Sequence, residues 1–346
     1  MEPLVTFSAP YIARTDSVRP APTSPAKPRI SPFRTWKLTP LTNFPECRSL
    51  ISSTTSPKFY MNVLIVTNAY AQNKSQIHQA TRVKDEFENK GISATICKNI
   101  NLTSIIGGYV NAVKYDACIF FDKDKSTARM LEKAGIKLFN SAKSIEICDD
   151  KMLTHIALAN ENVPMPDSIN APLCYTSNAQ PSQEFLDNVA TTLSFPLVAK
   201  KCYGSLGAGV TLINDYSELY EFESKNILTE HFYQKYINSG GSDVRVIVIG
   251  GKVLSAMKRT NKSDFRSNIE LGGTGEKFDI DDDVKDLCEK VATLLNLDYC
   301  GIDVIFDEHG QFYICEVNSN AFFAGIEKYC DVNVAQAYVE YIINKL

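Results

Sequence analysis

Residues 300–318, CGIDVIFDEHGQFYICEVN, constrain this chain more than any other stretch. Two apolar runs flank a polar turn at 307–311, the pattern of a β-hairpin with glycine at the bend. A bend centred between His309 and Gly310 puts Asp303 across from Glu316, and strand alternation puts Asn318 on the face of Glu316. Facing like charges repel, and burial without a counter-charge makes them costlier. A hard divalent cation relieves this, and a protein offering few carboxylates shares Mg²⁺ with substrate phosphates. The competing reading leaves these acids in water at a strand end, or paired with Lys and Arg. On this stretch alone the two readings stand level, and a turn one residue longer would break the pairing.

The 346 residues suffice for two or three domains around a substantial core. No apolar run approaches the ~20 residues needed to cross a bilayer, so no membrane role is expected. Ten cysteines are scattered without a CxxC pair, and several lie in apolar runs such as DACIFF. They predict buried thiols in a reducing compartment, with no disulfide framework or zinc site. Net charge is −4, and residues 1–60 are basic while the remainder is acidic. That acidic body argues against nucleic-acid binding, which depends on neutralising phosphates.

Residues 1–60 hold ten of the fifteen prolines and no sustained periodicity. They predict a disordered or non-native N-terminal extension, with the fold starting at Met61. Their acid-poor stretch between Asp16 and Glu46 faintly resembles an organelle address, although prolines would spoil an amphipathic helix. A cytoplasmic location is the expectation. From Met61, NVLIVT predicts a strand, and Ile77, Ala80, Lys84 and Phe87 predict a helix face ending before Gly91. Strands at 92–97, 116–121 and 136–139, with a helix at 127–134, complete a Rossmann-like α/β module over 61–145. It lacks GxGxxG after its first strand, which disfavours a dinucleotide site and an NAD-linked oxidoreductase. From Ser141 the chain reads as helical up to Pro164, with Asp149 and Asp150 suited to a helix start and Lys151 just inside.

A second α/β module occupies 146–346. PLVAKK at 196–201 predicts a strand, CYGSLGAG a glycine loop, and VTLI a second strand. Gly204, Gly207 and Gly209 would let backbone N–H groups approach an anion, as in a flap over nucleotide phosphates. Lys200 could reach the same phosphates; an ordinary hairpin with solvent-facing lysines is the bland alternative. A strand near 227–237 leads through SGGSD to a hairpin carrying Asp243 and Arg245, then Lys258, Arg259 and Arg266 around the loop 260–273. Such cations suit charge developing on a transferred phosphoryl group. Residues 282–295 predict a core-facing helix and 324–346 further helices.

The order of these elements resembles an ATP-grasp ligase, and within that superfamily the RimK-like branch, similar to ribosomal protein glutamate ligases. FPLVAKKCYGSLGAGV, YQKYINSGGSDVRVIV, SDFRSNIELGG, AGIEK and ICEVN carry the resemblance, which spans 140–346. It implies an ATP-grasp fold of mixed α/β (α+β) class with a preceding Rossmann-like domain. It implies ATP, with Mg²⁺ or alternatively Mn²⁺. Lys151, Lys200, Gly204, Ser205 and Gly207 would meet the nucleotide phosphates. Gln234, Lys235 and Tyr236 would form the adenine hinge, and Asp243 would meet ribose or phosphates. Arg245, Arg259, Arg266, Ser267 and Asn268 would face phosphates and an acyl phosphate, with the three arginines catalytic. Asp303, Glu316 and Asn318 would hold the metal.

The implied reaction joins a carboxylate (a peptide, a protein C-terminus or a small molecule) to an amino acid such as glutamate or another amine. No covalent protein nucleophile is needed. An oligomer is compatible with this reading, and an ATP-binding regulatory or scaffold protein without turnover is the alternative. Lys235 stands where relatives often carry an acid, and Ser-Asn-Ala-Phe-Phe at 319–323 replaces their small-residue and proline turn. The relatives' substrate is therefore not carried over.

Overall fold

A computed structural model describes residues 61–346 except 72–73, 103–114, 206 and 268–271, so the expectations for residues 1–60 and for Asn268 lie outside the described residues. Chain order begins with β1 (Asn62–Thr67), α1 (Lys74–Asn89), β2 (Ser93–Lys98), β3 (Ala117–Phe121), α2 (Lys125–Lys133) and β4 (Lys137–Phe139). The strands form a parallel sheet in the order β2-β1-β3-β4. Val63 to Val66 are fully buried, because helices cover both faces of a parallel sheet and leave no polar side. The buried face of α1 differs from the expected one. It carries Gln76, Gln79, Ala80, Val83, Glu86 and Phe87, and Ile77 is 62% exposed. Hydrophobicity misplaces that face because two buried glutamines donate long-range hydrogen bonds, Gln76 to the Phe121 carbonyl (2.7 Å) and Gln79 to the Ala321 carbonyl (2.9 Å).

The helical stretch from Ser141 is two helices, α3 (Ala142–Asp149) and α4 (Lys151–Leu158). Asp150 leaves helical geometry between them and caps α4, accepting hydrogen bonds from the backbone N–H groups of Met152 and Leu153. Next come β5 (Ser168–Asn170), α5 (Gln183–Leu193), β6 (Leu197–Lys201), β7 (Val210–Ile213), α6 (Tyr216–Asn226) and β8 (His231–Lys235). These strands form an antiparallel sheet, β5-β8-β6-β7, with α5 and α6 packed on it around Leu186, Val189, Leu219 and Tyr233.

Beside that core the Glu223 carboxylate accepts hydrogen bonds from His231 Nε2 (2.8 Å) and the Tyr233 hydroxyl (2.5 Å). Burial alone would raise the Glu223 pKa, but these bonds hold it below its usual value. A depressed carboxyl contributes stability above its unfolded pKa of about 4.3 and loses it as pH falls through the folded value. The stability gap between the parent and Glu223→Gln, read from urea midpoints, should therefore be full at pH 7 and shrink on acidification below pH ~4.

The last third contains β9 (Ser242–Ile249), β10 (Lys252–Thr260), β11 (Thr274–Lys277), α7 (Asp282–Leu294), β12 (Tyr299–Phe306), β13 (Phe312–Asn318), α8 (Ala324–Cys330) and α9 (Val334–Lys345). Its antiparallel sheet has the order β11-β10-β9-β12-β13. One face is apolar, with Val244, Val246, Val248 and Ile302 packed on Val284 and Val291 of α7. The other face is divided. Ile247, Ile249 and Tyr299 join a core shared with β1, α1, α8 and α9, while Asp243, Arg245, Arg259 and Asp303 stay clear of it. Helix α9 packs on α1, and the Tyr338 hydroxyl donates to the Phe139 carbonyl (3.0 Å). Residues 61–145 and the end of the chain thus share one core. Among the described residues no helix is long and apolar enough to cross a membrane, and no cysteines are bonded to each other.

Asp303 does face Glu316, but the bend is not centred as expected. Phe306 pairs with Phe312, Ile305 with Tyr313 and Val304 with Ile314, which centres the bend on His309. Continued unchanged, that register would set Asp303 against Cys315. A β-bulge between Asp303 and Val304 takes up one extra residue and brings Glu316 opposite Asp303.

Candidate functional site

Between the β5–β8 sheet and the charged part of the β9–β13 sheet lies a cleft. Lys151 at the start of α4, Lys200 on β6, and Ser205 and Gly207 of the glycine loop line it from one side. Gln234, Lys235 and Tyr236 line it from the end of β8, and Asp243, Arg259, Asp303 and Glu316 form its floor. Arg266 and Ser267 close it from the loop after β10. Arg245 and Asn318 border instead an adjoining crevice, which shares Ser205 and Glu316 with the cleft. Gly204 is behind the lining, where its carbonyl accepts from Lys151 Nζ (2.9 Å). Lys258 alternates away from Arg259 along β10, so the expected three-cation cluster is reduced to two.

Several local features place these groups. The cap at Asp150 starts α4 beside the glycine loop, and the Lys151 N–H donates to the Cys202 carbonyl (3.0 Å). Gly204 adopts φ +146°, and a Cβ there would come within 2.9 Å of the Ala208 carbonyl oxygen. The loop tip is latched, because Arg266 Nη1 donates to the Gly207 carbonyl (2.9 Å) while Asp264 holds the same guanidinium. Lys200 is 7% exposed, and its Nζ approaches Cys315 Sγ at 3.6 Å. The same bulge therefore sets the acids against each other and places the Cys315 thiol on the cleft wall. The Gln234 side chain is buried and donates to Ser168 Oγ (3.0 Å), and the Lys235 N–H is taken by the Asp167 carbonyl (2.8 Å). Burial and nearby Lys200 push the neighbouring His155 down to about 4, so its imidazole is neutral at pH 7.

The floor is a lattice of ion pairs. Arg259 is bidentate to Asp243 (2.7 and 2.5 Å) and reaches Asp303 at 3.1 Å. Arg245 is bidentate to Asp303 (2.8 and 2.7 Å). Burial works against ionisation of Asp303, but the two guanidiniums hold its carboxyl below the usual range. Glu316 is 3.5 Å from Lys151 Nζ. The facing acids are thus paired with cations, as the competing reading of the hairpin required, and among the described residues no three His, Cys, Asp or Glu side chains are grouped as metal ligands.

Other residues of the region gave no signal of their own in the sequence, although Asn320 lies in the segment 319–323 that departs from the relatives. Asn140 is 2% exposed and makes four hydrogen bonds that tie β4 to β12 and to the segment after β13. Asp122 and Asn320 border the crevice with buried oxygens that lack partners among the described residues. Burial raises the Asp122 pKa above its ordinary value.

A RimK-like ATP-grasp domain matches residues 148–342. Beta-citrylglutamate synthase B of Homo sapiens is 34% identical over 229 residues, covering 65% of this chain and 58% of that protein. Glutamate–LysW ligase ArgX of Sulfurisphaera tokodaii is 32% identical over 223 residues, covering 62% of this chain and 76% of that one. The crystal structure of D-alanine–D-alanine ligase from Bacillus anthracis, complexed with ATP, superposes with a TM-score of 0.64 at 20% identity, over 82% of this chain and 96% of that one. At that identity the likeness is one of fold.

Proposed function

Since the chain belongs to the RimK-like ATP-grasp family, we propose that it joins a carboxylate to an amino acid at the expense of ATP, through an acyl phosphate. The observation that carries this reading is the convergence of Lys151, Lys200, Arg259 and Arg266, from four separate segments, on a cleft whose floor holds Asp303 and Glu316. A cleft so rich in cations suits a polyphosphate substrate.

ATP would lie with its base against the end of β8 and its phosphates between the glycine loop and the two lysines. Lys151 and Lys200 would act as point charges on the phosphates, and the loop's N–H groups would take their oxygens. Asp303, Glu316 and Asn318 offer only hard oxygen donors, a set that fits Mg²⁺ (or Mn²⁺) sharing its remaining positions with phosphates. Bound there, the cation would neutralise charge on the transferring phosphoryl group. A carboxylate oxygen attacks the γ-phosphorus, the bond to the β,γ-bridging oxygen breaks and ADP leaves. Arg259 and Arg266 balance the charge on the equatorial oxygens. The amine nitrogen then attacks the acyl carbon, the carbon–oxygen bond to phosphate breaks, and the amine's surplus proton passes to solvent.

Glutamate appears in the names of both relatives described above, which supports L-glutamate as the amine. The carboxylate is left open. The test is ADP release from Mg·ATP with L-glutamate and a panel of carboxylates, including peptides, with products identified by mass. One ADP per product, and a product mass equal to both substrates less water, is the expected result. ATP binding without ADP release for any pair would sink the ligase reading and leave an ATP-binding scaffold.

A further inference from the structure

The crevice beside the cleft opens at the carboxyl ends of β1 and β3, bordered by Asn68 and Asp122. In this sheet β2 and β3 lie on opposite sides of β1, so the crevice sits where the strand order reverses, the place at which open α/β sheets bind ligands.

Three acids border it. Asp149 is paired with Lys123 at 2.6 Å and Glu316 with Lys151 at 3.5 Å. Asp122 is different. It is 5% exposed, and its Oδ1 accepts from Asn68 Nδ2 (3.0 Å) and the Lys123 N–H (2.7 Å). Among the described residues its buried Oδ2 has no hydrogen-bond partner and no cation is paired with it. From the segment after β13, Asn320 Oδ1 is likewise buried without a partner. Leaving such atoms unsatisfied is costly, and both are acceptors, so what they lack is a donor. The negative charge of Asp122 makes that donor a cation, and a compact one with several N–H groups satisfies more than one oxygen at once.

The crevice has orphans of the opposite kind as well. Asn318 Nδ2 is a buried donor without an acceptor. Arg245, which borders the crevice, spends Nε and Nη2 on Asp303 and leaves Nη1 for a ligand. Unmet acceptors and unmet donors around one crevice suit a ligand with an ammonium and a carboxylate.

We propose that this crevice is the subsite for the amine substrate, a free α-amino acid. Asp122 and Asn320 hold its ammonium, which gives up one proton to solvent before the nitrogen attacks, and Arg245 and Asn318 face its carboxylate. The assignment rests on the ligase reading and deepens it, since Glu316 and Ser205 belong to both the crevice and the cleft. Asp122 acts as a specificity-determining residue. Asparagine in its place keeps the acceptor for Asn68 and the Lys123 N–H but turns a donor toward the ammonium.

The test is calorimetric titration of the full chain, with and without Mg·ADP, using L-glutamate, then each other free proteinogenic amino acid, then the N-acetylated form of any that binds. A free amino acid should bind, and its N-acetyl form should bind at least tenfold more weakly. Asp122→Asn should weaken the same ligand at least tenfold, with ATP affinity within twofold of the parent. Asn320→Ala, on a different segment, should weaken it about threefold, which guards against a folding defect in the first variant. Equal binding of the N-acetyl form, unchanged affinity in Asp122→Asn, or no amino acid bound by a protein that binds ATP would each overturn the proposal. Failure to bind ATP would instead remove the ligase reading, while the titrations would still decide what the crevice takes.

Discussion

Glu316→Gln is expected to lower ADP release by about 10²–10³-fold while leaving the fold nearly as stable as the parent. On the proposed reaction the loss follows from removing one of few carboxylates beside the transferring phosphoryl group, where single electrostatic contributions have that size. Stability should be nearly unchanged because Glu316 is part-exposed and its one ion pair among the described residues, with Lys151, is long at 3.5 Å. Loosely held pairs of that kind contribute about 0–1 kcal/mol. Its partner across the strands should behave differently. Asp303 is 4% exposed and lies between two guanidiniums. Among the described residues, Asp303→Ala leaves Arg245 with no carboxylate at hydrogen-bonding distance and Arg259 with Asp243 alone, and breaking a buried pair costs about 3–5 kcal/mol. Urea denaturation beside ADP release separates the two acids. Equal stability losses would contradict the lattice, and full activity in Glu316→Gln would remove Glu316 from the proposed metal ligands.

The second large effect is expected at Asn140, which lines neither the cleft nor the crevice. Its Oδ1 accepts from the N–H groups of Asp298 (2.6 Å) and Tyr299 (3.0 Å), and its Nδ2 donates to the carbonyls of Tyr299 (2.7 Å) and Ser319 (2.9 Å). A buried polar group left unsatisfied costs about 1–3 kcal/mol, so Asn140→Leu, which strands four, should destabilise by about 4 kcal/mol or more. Asn140→Asp keeps the two accepted bonds but sets carboxylate oxygen against two carbonyls, and should lose about half as much. Because the Ser319 carbonyl begins the segment that borders the crevice, the milder variant should raise KM for the amine more than it lowers kcat. A parent-like urea midpoint for Asn140→Leu would disprove the account.

Strand and helix order was largely legible in the sequence, because those elements are set by local periodicity and by glycine and proline breaks. NVLIVT, the hairpin after SGGSD and the helix α7 formed near their expected bounds. Where the reading slipped, the cause was long-range. Ile77 turned outward because Gln76 and Gln79 bond to segments far along the chain. Asp303 met Glu316 through a bulge that no alternation rule anticipates. Most of the residues singled out from sequence motifs do line one cleft or the crevice beside it. Asp122 and Asn140 do not stand out in the sequence, and Asn320 does so only as part of the departing segment 319–323, since a single Asp or Asn acquires its meaning from what the fold leaves unpaired around it. The electrostatic state of the site was equally hidden. That Asp303 is held by two arginines is a fact about three strands at once.

The packing of α9 against α1 has a consequence for how the molecule is made. The hydrogen bond from Arg82 to Asn333 spans 251 positions, and the core around Val63 and Phe87 is completed by Val334, Tyr338 and Ile342. During synthesis the first α/β layer emerges long before the helix that covers it, and closing so large a loop is slow. That layer must wait with an uncovered apolar face, which is the condition under which nascent chains associate wrongly or recruit chaperones. A chain stopped before Val334 would therefore be an exposed surface rather than a smaller enzyme.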